Sequence, residues 1–158
     1  MNESIISAVA LLFAGTLVGN ELAIGFFVHP QLWKLPDPIH AASAKAFAKV
    51  LGARMPFWYA LTLILTGTFA YSLHRRSAGA ERLAWASSGL WLAAILFTLI
   101  FPLPVNTRVA NFDLERLPAD WKLLRQRWDR YHLIRNLIIT VALILLIFSA
   151  VQCPSPSY

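Results

Sequence analysis

At 158 residues, with 58% of them hydrophobic and a mean hydropathy of +0.57, the chain is more apolar than a soluble domain, in which about 45–50% of residues are apolar. A net charge of +6 would suit nucleic acid, but the basic side chains surround apolar blocks, so lipid headgroups are the expected contact and no nucleic-acid partner is expected. Cys153 is the only cysteine, which excludes an intrachain disulfide and two-thiol redox chemistry.

The apolar residues fall in four blocks, Ile5 to Val28, Met55 to Leu73, Leu83 to Phe101 and Leu133 to Val151. Each approaches the roughly 20 residues that cross about 30 Å of hydrocarbon. The expected fold is all-α, a four-helix transmembrane bundle forming a single multi-pass membrane domain over residues 1–158. Its helices are placed at about 5–29, 41–73, 81–102 and 120–151.

The first block lacks a basic start and a small-residue cleavage site, and it carries Asn20 and Glu21, so it is read as a retained helix rather than a signal peptide. Glu21 lies roughly 12 Å along the helix from His29, inside the bilayer. A carboxylate there must be protonated or paired, with Arg135, Arg54 or His132 as candidate partners. Asn20 has a simpler role holding helices together, with Gly15, Gly19 and Gly25 admitting close backbones. Pro30 is expected to close this helix and leave His29 at its mouth.

The second helix starts after "KLPDP", with His40 read as a surface residue. Lys45, Lys49 and Arg54 lie on its extension, and Pro56, Trp58 and Tyr59 mark the interface. "HRRSAGAER" is a turn to the third helix, with Arg75, Arg76 and Arg82 as headgroup anchors. Every other Lys and Arg falls toward the opposite end, with three of the four histidines, so that end is expected to carry the chemistry. Orientation stays open, because the basic count and the "HRR" turn argue opposite ways.

The third helix runs into "FPLPVNTRVANFD", where Pro102 and Pro104 are expected to end it and leave free carbonyls beside Asn106 and Arg108. Asn106 offers an acceptor and two donors for a ligand oxygen or a histidine, with a helix cap as the simpler reading. In the fourth helix Trp121, Arg125, Trp128, His132 and Arg135 are spaced 4, 3, 4 and 3 and share one stripe, which continues through Ile139, Leu143 and Leu146. That stripe is expected to face inward, with Arg127 and Arg130 off it. The simpler reading has Arg135 snorkelling to headgroups and His132 satisfying a backbone carbonyl.

The segments "PLPVNTRV" and "LPADWKLLRQRWDRYHLIRNLI", with their proline-asparagine and W-x3-H-x2-R patterns, resemble the anthrone-oxygenase-like family of small four-helix membrane proteins. The resemblance implies oxidation of a polyketide anthrone to an anthraquinone with O2 as co-substrate and no dissociable cofactor. Asn106, Trp128, His132 and Arg135 match its pattern by position, whereas Glu21 and His29 join the candidate site on burial and geometry alone.

Such a reaction needs a methylene deprotonated and the resulting enolate held. His132 is the expected base, with Arg135 and Asn106 holding the oxyanion and Glu21 orienting His132 or balancing Arg135. Trp128, Arg108 and His29 are expected against the substrate. Membrane lipids and a small aromatic substrate are the expected partners, and self-association stays open. One alternative is an iron or copper site made by His29, His132, Glu21 and His40, although no HxxH or HExxH spacing supports it; haem is a weaker candidate. The other is a non-catalytic adaptor, a lipid or small-molecule binder, or a small transporter subunit. An enzyme turns the stripe into a pocket, whereas an adaptor exposes it to its partner.

Overall fold

A computed structural model describes residues 3–74 and 76–152; Arg75 and Cys153 lie outside the described residues. These are all-α, with no strand. The chain runs through α1 (Glu3–Ala23), a π-helical turn (Ile24–Val28), α2 (His29–Leu32), α3 (Asp37–Ser72), α4 (Ala78–Ile100), α5 (Pro102–Ala110) and α6 (Trp121–Val151). Four spans are long and apolar enough to cross a membrane: Ser4–Leu32, Asp37–Ser72, Ala78–Ile100 and Trp121–Val151.

Proline explains three departures from the expected helices. Pro30 does not close the first span. The preceding turn widens so that the His29 N–H reaches back five residues to the Ile24 carbonyl, and Pro30 then sits in the first turn of α2. A widened turn relieves the clash between a proline ring and the carbonyl four residues earlier. His29 is therefore buried rather than at a mouth. Pro38 stands in the first turn of α3, where no N–H is required, so that helix begins at Asp37. Pro102 likewise starts α5 after a kink at Phe101 (φ −109°, ψ −63°), which places Asn106 and Arg108 within a helix rather than beside an unwound chain end.

Small residues set the helix spacing. Ala80, Ala84 and Ala94 of α4 and Ala142 of α6 are fully buried, and the backbones come close enough for two side-chain hydroxyls to tie them. Ser87 donates to the Ala142 carbonyl and Ser149 to that of Ala80, each at 2.7 Å. An apolar core formed by Leu17, Phe69, Trp91, Ile139 and Leu146 fills the end of the bundle near the α3–α4 turn. A second, smaller core at the other end joins Ala41, Ala44, Val109, Phe112, Trp121 and Leu124. Along α6 the buried ionisable side chains fall between the two cores, at Arg125, His132 and Arg135. The outward faces are apolar as well, Phe57 being 78% exposed and Leu12 62%, which suits a hydrocarbon surrounding.

Candidate active site

The inward stripe of α6 meets α1 at Glu21. The Arg135 guanidinium donates to Glu21 Oε2 at 2.6 Å, and the Tyr59 hydroxyl of α3 donates to Oε1 at 3.0 Å. Glu21 is 1% exposed and Arg135 7%, so the charges are kept in the interior only because each answers the other. The Arg135 guanidinium carbon also lies 5.4 Å from the Tyr59 ring centre. Arg54, the other cation considered for Glu21, is exposed.

His132 is held on both ring nitrogens. Nε2 stands 3.0 Å from the Glu21 backbone carbonyl; a carbonyl only accepts, so Nε2 carries the hydrogen. Nδ1 is 3.1 Å from an Arg135 nitrogen and 3.2 Å from Glu21 Oε2. Asn136 donates to the same Glu21 carbonyl at 3.1 Å. These bonds gather immediately before the widened turn, where the helical ladder changes register and a carbonyl has capacity for outside donors. The turn also brings Gly25 against the cluster: a Cβ there would stand 3.1 Å from Asn136 Nδ2 and 3.3 Å from His132 Cδ2. Gly25→Ala gains about 0.5–1 kcal/mol from backbone entropy but overpacks at a cost of about 1–3 kcal/mol. A net loss is expected, read as a lower thermal midpoint in detergent.

A cavity of about 170 Å³ ends on this cluster, reaching Glu21, Tyr59, His132 and Arg135 along walls from Met55, Ile95 and Leu99. Its lining is overwhelmingly apolar, so the cluster is its one strongly polar end. Arg135 Nε makes no hydrogen bond within the protein, leaving a donor uncommitted beside this end. Asn106 and Trp128 reach the cavity too. Asn106 has one donor engaged with the Ala48 carbonyl at 3.0 Å, where Gly52 leaves it room. Trp128 stacks on His132, with ring centres 4.9 Å apart and planes at 15°.

Two proposed substrate contacts lie elsewhere. Arg108 is exposed and paired with Asp120 at 3.2 Å, because its position on α5 turns it away from the stripe. His29 packs edge-on to Trp128 and His132, each at 4.8 Å. It borders a second, small chamber of about 30 Å³ instead. Its Nδ1 is 3.5 Å from Asp129, and Asp129 also takes a 2.7 Å bond from Trp33 and a 3.3 Å contact from Arg125. His40 is not on the surface: Trp33 and Trp121 cover it edge-on at 4.6 and 5.2 Å, leaving it 1% exposed.

Among the described residues no three His, Cys, Asp or Glu side chains come together as a ligand set. Glu21 is neutralised by Arg135, and His132 Nε2 is turned to a carbonyl.

Two members of the cluster have no counterpart among the candidates read from sequence. Tyr59 looks like one more interface aromatic, and Asn136 stands one residue beyond the W-x3-H-x2-R pattern. Only the turn of α6 that carries Arg135 hints at Asn136, and no local signal marks Tyr59.

Searches of curated proteins and of solved structures found no match. The family model described as anthrone oxygenase matches residues 45–145, from early in α3 to late in α6, a stretch that includes Tyr59, Asn106, Trp128, His132 and Arg135 but not Glu21. That stretch is well over half of the chain, and the chain belongs to the anthrone oxygenase family.

Proposed function

We propose that this chain is an integral-membrane oxygenase, crossing the bilayer four times, that oxidises an enolisable aromatic methylene to a carbonyl with O2 and its own side chains. The observation that carries the reading is a buried carboxylate, phenol and guanidinium at the one polar end of an apolar cavity. An adaptor would present the α6 stripe outward, whereas His132 and Arg135 are buried and border the cavity.

In this reading Glu21, rather than His132, is the base. His132 has no free nitrogen to offer the substrate, so Glu21 meets the methylene and takes its proton. His132 Nδ1, which accepts from Arg135 and lies 3.2 Å from Glu21 Oε2, helps to hold the carboxylate and the guanidinium in place. As the enolate forms, its oxygen gathers charge beside the uncommitted Arg135 Nε, and the Tyr59 O–H, freed from Glu21 Oε1 when that carboxylate takes the proton, turns to the same oxygen. Trp128 supplies a flat wall and Asn106 a polar point on it. O2 then adds at the deprotonated carbon. One oxygen atom stays as the new carbonyl and the other leaves as water with both methylene hydrogens.

Tyr59→Phe removes one donor and keeps the ring. Loss of such a donor typically costs about a hundredfold or more in turnover. Oxygen uptake by purified protein given anthrone is therefore expected to fall by that order, with the fold retained. Uptake by wild-type protein at the spontaneous rate would reject an anthrone as substrate.

A further inference from the structure

The cavity has a side entrance. On α3 it is lined by Gly52, Pro56 and Ala60, spaced at i, i+4 and i+8, and all three are exposed. Facing them are Leu99 at the end of α4 and Leu103 in α5, which line the same cavity and are 53% and 41% exposed. A residue that both lines a cavity and reaches the outer surface marks its rim. This rim lies on the sides of helices rather than at the end of the bundle, and it spans about 12 Å of α3 at 1.5 Å per residue.

Its chemistry is that of a lipid-facing opening. No charged side chain stands among these five residues, and Phe57 beside them is the most outward apolar side chain of the region. Pro56 and Ala60 carry little side chain across the gap, and Gly52, against the Asn106 amide, forms its edge. Pro56 keeps α3 in place without an N–H for the Gly52 carbonyl, and the kink at Phe101 turns α5 away from α4 on the opposite side. The small chamber toward Asp129 is the alternative route. It is far narrower, about 30 Å³, and its wall carries the buried charge of Arg125, which an apolar guest would have to pass.

We infer that the substrate enters sideways from the bilayer, between α3 and the α4–α5 kink, as a lipid-dissolved molecule whose polar edge leads toward Glu21, Tyr59 and Arg135. That the guest is an enolisable aromatic rests on the oxygenase reading; the route does not. An amphiphile waiting at the membrane boundary presents its polar edge at about the height of the rim, and the apolar walls accept the rest without desolvation of any charged group.

The route is tested without turnover. Met55 lines the cavity and is partly buried. Met55→Cys in a Cys153→Ser background, reconstituted in phosphatidylcholine vesicles, is exposed either to pyrene maleimide dissolved in the lipid or to a sulfonated, membrane-impermeant maleimide. Lateral entry predicts labelling by the lipid-dissolved reagent, little labelling by the sulfonated one, and loss of the first when Ala60→Trp is added at the rim. Faster labelling by the sulfonated reagent, or labelling indifferent to Ala60→Trp, overturns the proposal. Thr98→Cys, also on the cavity wall, provides the same readout if Met55→Cys does not fold. Labelling as expected with no oxygen uptake on anthrone by the wild-type protein would keep the entrance and reject an anthrone as the guest.

Discussion

Arg135→Met is expected to destabilise the protein severely. The methionine fills much of the space but leaves Glu21, 1% exposed, without its cation. Removing one partner of a buried ion pair costs about 3–5 kcal/mol, because the surviving charge has no answer in the interior. His132 Nδ1 loses its donor at the same time. For a chain of this size the loss corresponds to a fall of roughly 10 °C in the thermal midpoint. The double variant Glu21→Gln with Arg135→Met is expected to recover most of it, since a neutral amide still accepts from Tyr59 and no charge is stranded. Thermal unfolding of the three proteins in one detergent checks this. A double variant as unstable as Arg135→Met would mean that packing, rather than charge pairing, holds the cluster.

Glu21→Gln alone is expected to abolish turnover and, because it strands the buried Arg135 guanidinium, to lose stability on the scale of Arg135→Met, so turnover is read on protein verified as folded. The amide has nearly the shape of the carboxylate and keeps an acceptor for Tyr59 or Arg135, but it does not take a proton. General-base catalysis is typically worth about 10²–10⁴-fold. The step can be isolated from oxygen: under anaerobic conditions in D2O, wild-type protein should speed exchange of the anthrone methylene hydrogens, and Glu21→Gln should not. Exchange that persists in Glu21→Gln and disappears in His132→Ala would return the base to His132.

The sequence was most readable where one periodicity governs a whole surface. The 3.6-residue period of α6 places Trp121, Arg125, His132 and Arg135 inside and Arg127 and Arg130 outside, as the structure has them. The period fails where a helix changes its own geometry. Pro30 reads as a stop because an ordinary helix cannot pass it, and nothing in "AIGFFVHP" announces the widened turn that can. Pro102 reads as an end for the same reason, which hides α5 and leaves the direction of Arg108 undefined. Tyr59 and Asp129 are harder still. Each becomes significant through partners more than thirty positions away, Glu21 for one and Trp33 for the other. Interface aromatics and surface acids are too common for residue type to single them out. His40 misleads in the opposite direction, since its burial depends on two tryptophans from separate elements.

The central claim is that the Glu21 cluster at the end of the cavity performs the oxidation. Its most direct test is the initial rate of oxygen uptake on anthrone by purified wild-type protein beside Glu21→Gln, both verified as folded. The account predicts uptake well above the spontaneous rate for wild type and none above it for Glu21→Gln. Equal uptake by the two proteins would contradict it.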